Sequence, residues 1–370
     1  MAESTRLVDL IQRRIDDFLA ERRVELTTVA PELSDVMSLA AGYLSGGKRF
    51  RGLFCYWGWQ SVAGMLDPAS LESPEPAELD AIVDAAAALE VFHAAALVHD
   101  DIMDNSDTRR GSPSAHRLFE GIHRDSGWHG DGSAYGRSAA LLLGDLLLGW
   151  SDELFDLAGS RLPLPTARAG RSEFVRMRTE VTAGQYLDIL EENAWATYPE
   201  STALSRAHRV IVYKSAKYTA EAPLAIGGAL GGATEAQLAA LRSFGLPLGV
   251  AYQLRDDLLG VFGDPAITGK PAGDDLREGK RTVLIALARP RLPSPVRNLL
   301  DELLGDPALD AEQVQMIRTA LVDCGAVDEV ERIITHNVGL ATAAIRDAPL
   351  TSSSRQQLLQ LAETVTRRAS

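Results

Sequence analysis

Cysteine is scarce. Cys55 and Cys324 are the two cysteines in 370 residues. They stand too far apart to suggest a disulfide framework, and they make no metal-ligand spacing. They read as thiols of a reducing cytoplasm, which sets the expected location. Positive charge is also short. Lys and Arg number 37 against 51 Asp and Glu, for a formal net charge of −14. So acidic a surface repels a phosphate backbone, and no nucleic-acid partner is expected. An anionic substrate would need a local positive site, or metal ions, to enter that field. Alternating patterns of β-branched residues are almost missing. No apolar run reads as long enough to cross a bilayer, so no membrane span is expected. The first residues, MAESTRLVDLIQRRIDDFLAERR, are charged throughout and hold no apolar signal-peptide core.

What is present is helical periodicity. Residues 7–22, 77–103, 138–158, 171–192 and 236–261 repeat apolar side chains at spacings of three and four. Breaks fall at short Gly/Pro/Ser stretches, near 67–76, 161–165, 263–273 and 290–295. They are turn-length, so the expectation is an all-α, single-domain bundle spanning residues 1–370. The segment 121–136, GIHRDSGWHGDGSAYG, is rich in Gly, His and Asp and reads as a mobile surface loop. His123 and His129 are expected there as solvated histidines. No fixed-period repeat is visible.

Two acidic motifs carry the first chemical signal. Leu97-Val98-His99-Asp100-Asp101-Ile102-Met103-Asp104 ends a long apolar helix. Asp100 and Asp104 are four apart and share one face, where like charges destabilise a helix unless a cation sits between them. Hard oxygen donors at that position suit Mg²⁺ bridging to substrate phosphates. A solvated acidic helix end is the alternative. The second motif, Tyr252-Gln253-Leu254-Arg255-Asp256-Asp257-Leu258-Leu259-Gly260, also closes an apolar helix. Negative charge there opposes the helix dipole, which again calls for a cation. Acid–base or glycosidase chemistry wants an isolated carboxyl of raised pKa. Adjacent aspartates, doubled across the chain, fit chelation better.

The basic residues that matter are gathered into short motifs. Gly46-Gly47-Lys48-Arg49-Phe50-Arg51 opens an apolar segment. Its glycines allow close backbone approach, and helix N-terminal amides favour phosphate. Thr108-Arg109-Arg110-Gly111 follows the first acidic motif, and arginine forks match diphosphate oxygens. Tyr213-Lys214-Ser215-Ala216-Lys217, Gly269-Lys270 and Glu278-Gly279-Lys280-Arg281-Thr282 complete the set.

Taken in order, GGKRFR, Leu89-Glu90-Val91-Phe92-His93, HDDIMDNSDTRRG, GDLLL, YKSAKYT, YQLRDDLLGVFGD and GKPAGDDLREGKRT resemble the trans-polyprenyl diphosphate synthases. In particular they resemble the bacterial geranylgeranyl and farnesyl diphosphate synthases, over about residues 40–290. The resemblance implies an isoprenoid synthase bundle around a deep central cavity, paired as a homodimer. It implies head-to-tail joining of isopentenyl diphosphate to allylic diphosphates (dimethylallyl, geranyl or farnesyl). Mg²⁺, or Mn²⁺, would be held by Asp100, Asp104 and Asp256. Lys214, Lys270, Lys280 and Arg109 would share the allylic diphosphate charge. Lys48, Arg51, His93 and Arg110 would bind isopentenyl diphosphate. Ser215 and Gln253 would face the cationic carbon with oxygen dipoles. His93 lies seven residues before Asp100, two turns along one face. One departure is clear: Gly260 stands where the family's second motif usually ends in aspartate. Asp257 and Asp264 are weaker metal candidates there. Ser215 replaces a commoner threonine and keeps the hydroxyl.

Product length is expected from the wall below Asp100. Ala95 and Ala96 leave the wall open, and Phe92, one turn deeper than Ala96 and about 12 Å below Asp100 by helix rise, is expected as a floor suited to a C20 product. A farnesyl or longer-chain synthase is the alternative. A terpene cyclase is disfavoured by GGKR, a non-catalytic subunit by the intact DDIMD, and a simple phosphatase by the alanine-lined helix.

Overall fold

The computed structural model describes residues 2–63, 76–264 and 273–366. Lys270, and most of the expected breaks near 67–76 and 263–273, lie outside the described residues. The fold is all-α as expected, and the chain packs as two compact units.

The first unit comprises Met1–Ser172 and Pro223–Thr234. It holds helices α1 (Ala2–Val29), α2 (Ser34–Tyr43), α3 (Phe50–Ala63), α4 (Pro76–Met103), α5 (Ala115–Asp125) and α6 (Gly132–Ser160). Helix α4 is its axis. Ala81, Ala85, Ala86, Ala88, Leu89, Val91 and Val98 are all buried, and alanine lets α3 and α6 approach closely. Contrary to the sequence expectation, Ala77–Met103 is long and apolar enough to cross a membrane by length and composition. Yet 78% of its apolar window is buried inside the protein. Its acidic residues show why it is a core helix. Asp84, 1% exposed, is held by Arg14 and by Arg161 at 3.1 Å. Glu90 accepts the Gly52 amide at 3.0 Å. Charges satisfied internally allow the helix to sit in a protein core.

The segment 121–136 differs from its expected loop. Helix α5 runs to Asp125 and α6 starts at Gly132, capped by Asp131, whose side chain accepts from the amides of Ser133 and Ala134. The reason is aromatic: Trp128 packs on His123 and Tyr135 at ring separations of 5.9 and 5.3 Å. His123 is therefore buried and contacts the His129 carbonyl at 3.2 Å, while His129 itself is exposed.

Among the described residues, strand structure is confined to a hairpin of β1 (Thr108–Arg109) and β2 (Ser112–Pro113). Its two-residue turn, Arg110-Gly111, has positive φ at both positions, 52° and 78°. That is the handedness that matches strand twist in tight hairpins.

The second unit comprises Glu173–Ala222 and Glu235–Ser370. The chain enters it within α7 (Leu164–Ala194) and continues through α8 (Ala203–Val210) into a π-helix, Ile211–Glu221. After α9 (Ala222–Leu230) in the first unit, α10 (Glu235–Phe262) forms the second unit's axis. Then come α11 (Asp274–Glu278), α12 (Val283–Ala288), α13 (Ser294–Leu303), α14 (Ala311–Asp323), α15 (Ala326–Arg346) and α16 (Ser352–Thr366). Leu248, Ala251, Leu254, Leu258 and Val261 bury the apolar stripe of α10. The π-helix and α15 are its main partners.

Candidate active site

In the first unit, helix geometry assigns the three aspartates of α4 different work. A residue turns about 100° around the axis from the one before it, so Asp101 projects to one side of Asp100, where Tyr43 and Arg109 meet it. Asp101 is fully buried. It accepts from Tyr43 Oη at 3.1 Å and Arg109 Nε at 2.8 Å. Tyr43 Oη in turn accepts the Ala115 amide at 2.6 Å. Burial pushes the Tyr43 phenol up and Asp101 adds to it, so Tyr43 remains a donor. Burial likewise raises Asp101, against the pull of Arg109. Asp100 and Asp104 are half-buried, with the Asp104 amide donating to Asp100 O at 2.8 Å. Arg109 Nη2 also reaches Asp100 Oδ2 at 3.3 Å.

The hairpin separates its two arginines. Arg109 turns toward the aspartates. The Arg110 guanidinium lies 3.7 Å from where a Cβ on Gly47 would be, over the GGKR loop. That loop is set by left-handed backbone at Gly46, Gly47 and Arg49 (φ 64°, 94° and 49°). Arg49 is buried and donates to Leu44 O, Gln12 Oε1 and, at 3.5 Å, Glu90 Oε2. It is a support for the loop. Lys48 is exposed and Arg51 half-buried in the first turn of α3. His93 is half-buried, and its imidazole is held well below the usual histidine range. Burial is the main cause, followed by the charges of Arg51, Arg110, Arg109 and Arg49. A neutral histidine among four guanidinium groups is a site prepared for a polyanion. Deeper on α4, Ala95 and Phe92 are buried and Ala96 is half-buried.

In the second unit, Lys214 and Ser215 ride on the π-helix. Such wide turns recur at functional sites. Glycines let it pack: a Cβ at Gly184 of α7 would lie 2.3 Å from Lys214 N, and one at Gly249 of α10 would lie 2.2 Å from Ala216 O. Lys214 pairs with Asp188, and Lys217 pairs with Glu180 at 2.7 Å. On α10, Arg255 forks onto Glu331 of α15 at 2.5 and 2.7 Å. Asp257 points into the core, where burial and then Asp275 push its carboxyl up to about 8, while a 2.8 Å bond from Gln253 Nε2 opposes them. Half-buried Asp256 is left as this motif's metal candidate. The Gln253 carbonyl oxygen takes no part in the bond to Asp257. Lys280 pairs with Glu278 at 2.7 Å, and Asp264 is exposed.

The donor set fits magnesium. Among the described residues, no three His, Cys, Asp or Glu side chains gather into a cage. Mg²⁺ is commonly held by one or two carboxylates together with water and substrate phosphate oxygens, which Asp100 with Asp104, and Asp256, can supply. Asp100, Asp104, Arg109, Arg110, His93, Arg51 and Lys48 belong to the first unit. Lys214, Ser215, Gln253, Asp256 and Lys280 belong to the second. Sequence reasoning missed Tyr43, Glu90, Asp188, Glu180 and the two packing glycines. Glu180, Gly184 and Asp188 recur every four residues on α7, a spacing that could have exposed them.

A model of the polyprenyl synthetase family matches residues 34–321. The Methanocaldococcus jannaschii short chain isoprenyl diphosphate synthase is 30% identical over 238 residues, 64% of this chain and 65% of that protein. The Mycobacterium tuberculosis geranylgeranyl diphosphate synthase is 30% identical over 311 residues, 84% of this chain and 77% of that one. Among solved structures, a Corynebacterium glutamicum geranylgeranyl pyrophosphate synthase complexed with isoprenyl diphosphate and magnesium superposes with a TM-score of 0.90. It is 37% identical, with 98% of this chain and 99% of that one covered. With its paired acidic motifs, arginine-ringed histidine and these likenesses, this chain belongs to the polyprenyl synthetase family.

Proposed function

We propose that this protein is a trans-prenyltransferase that condenses isopentenyl diphosphate with allylic diphosphates, with geranylgeranyl diphosphate as its product. We further propose that residues 1–370 work as one isoprenoid synthase domain, in a cytoplasmic homodimer. The observation that carries the reading is the hairpin, which sets Arg109 against Asp100 at 3.3 Å and Arg110 over the Gly46-Gly47 loop. A polyanion site beside a carboxylate pair is what two diphosphate substrates require.

Asp100, Asp104 and Asp256 would hold Mg²⁺, which when bound neutralises the diphosphate oxygens. Lys214, Arg109, Lys270 and Lys280 add charge to the same allylic diphosphate. Lys48, Arg51, His93 and Arg110 orient isopentenyl diphosphate. The allylic C–O bond breaks with both electrons leaving on diphosphate. The π electrons of isopentenyl diphosphate then form the new C–C bond, and its lost proton passes to the departed diphosphate. Ser215 Oγ and the Gln253 carbonyl oxygen offer dipoles to the transient cation. Phe92 closes the wall that Ala96 and Ala95 leave open. The solved Corynebacterium glutamicum relative, complexed with isoprenyl diphosphate and magnesium, supports the substrate class and the metal.

The test is incubation with isopentenyl diphosphate, Mg²⁺ and each allylic starter, with products sized by mass spectrometry. A C20 product is expected, Phe92→Ala should lengthen it, and Asp100→Ala should lower turnover at least ~100-fold. A wild-type protein that forms no longer prenyl chain from any starter refutes the reading.

A further inference from the structure

One cavity of the second unit takes no part in the proposed chemistry. It encloses about 320 Å³, within the range of small-molecule sites. Its walls come from the end of α7, the start of α8, and α12 with the chain on either side of it. None of its lining residues is among those assigned to the substrates.

Three arginines line it, and two of them are matched by acids. Arg206 donates through Nε to both carboxylate oxygens of Glu191, at 3.1 and 2.8 Å. Arg289 forks onto Asp301 at 2.9 and 2.8 Å and reaches Glu200 at 2.7 Å. Arg281 is different. Its side chain is 9% exposed, and its one acid contact is long, from Nη1 to Asp301 Oδ1 at 3.4 Å. That oxygen already accepts from Arg289. Arg281 Nε is buried and takes no partner among the described residues. Burial works against its charge, and Asp301 offsets only part of that. A buried donor left unmade is costly, and most so on a charged group.

The guanidinium is also held in place. Its Cζ lies 3.7 Å from the centre of the Trp195 ring, which carries Arg289 as well at 5.1 Å. Ile285, Ala286 and Ala203 make the cavity apolar beside these charges. An arginine edge matches a carboxylate. Glu191 and Glu200 stand in the same walls and repel a group of higher charge.

We propose that this cavity binds a small organic carboxylate, which accepts from Arg281 and lays its apolar body against Ile285 and Ala286. The site holds none of the groups assigned to prenyl transfer, so it stands or falls apart from that reading.

The test is calorimetric titration of the full-length protein with 2-naphthoate and with its uncharged counterpart 2-naphthalenemethanol, alongside the thermal midpoint of each variant. 2-Naphthoate should bind saturably, and the alcohol at least ~10-fold more weakly, since the bond to a charged donor is lost. Binding should persist with Mg²⁺ and inorganic pyrophosphate present, which places it outside the diphosphate site. Arg281→Met should weaken 2-naphthoate at least ~10-fold with its midpoint near the wild-type value, because Asp301 keeps Arg289. Ala286→Phe, which fills the cavity and leaves Arg281 in place, should abolish binding. No saturable binding by the wild type, equal affinity for the alcohol, displacement by pyrophosphate, or full affinity in either variant overturns the assignment.

Discussion

Adjacent aspartates illustrate how one residue's rotation decides its role. Asp101 is the buried anchor of Arg109 and Tyr43, whereas Asp100 and Asp104 are half-buried. Removing one partner of a buried ion pair strands the other, at about 3 kcal/mol or more. Asp101→Asn should therefore lower the thermal midpoint by several degrees, while Asp100→Asn leaves it nearly unchanged and removes activity. Equal melting of the two variants would contradict the division. His93 gives a pH dependence. Its folded pKa lies well below the ordinary value of 6.5. As pH falls through about 6.5 the unfolded chain takes up a proton that the folded protein refuses, so stability present at higher pH is lost. Comparing denaturation midpoints at pH 7.5 and 5.5, His93→Gln should lose less than the wild type. An identical loss would show that the four arginines do not act on this ring. At this scale the sequence revealed the charged residues but not their partners. HDDIMD marks a cation site, yet nothing in the string says that Asp101 turns inward to Tyr43, fifty-eight positions earlier.

Among elements, the π-helix is the feature that spacing did not reveal. YKSAKYT is visible as a motif, but a wide turn depends on what lies across from it, here Gly184 and Gly249. Placing a methyl where backbone already stands is overpacking, worth about 1–3 kcal/mol. Gly184→Ala should lower the melting temperature and raise KM for the allylic substrate, because Lys214 N is the atom it would strike. A variant with unchanged KM would show that the wide turn merely fills space. The long helices α4, α6, α7 and α10 were legible because their apolar periodicity agrees with their packing. The segment 121–136 was misread because glycine and histidine content suggests solvent, whereas contacts among Trp128, Tyr135 and His123 decide its fold. The apolar character of α4 was underestimated for a related reason. Asp84 and Glu90 break its hydrophobic run on paper and are neutralised by arginines in the folded chain.

At the scale of the molecule, a chain of net charge −14 concentrates arginines around His93. The described residues gather no three-ligand metal cage. Mg²⁺ by itself should therefore shift the melting temperature little, and Mg²⁺ with pyrophosphate should shift it by several degrees, as ligands that bind only the folded state do. A large shift from Mg²⁺ alone would mean that the carboxylates form a complete site without phosphate. The family was legible from the order of seven short motifs along the chain. The packing that makes them cooperate was not, because it depends on glycines, buried acids and a hairpin that carry little signal one residue at a time.

The hairpin turn has one more consequence. Arg110 adopts φ 52°, a left-handed conformation that costs an L-residue about 1 kcal/mol and costs glycine almost nothing. Arg110→Gly should thus make the protein harder to melt and weaken its hold on isopentenyl diphosphate. Durability and grip would move in opposite directions at a single residue, the signature of a site tuned for its ligand at the expense of its own repose.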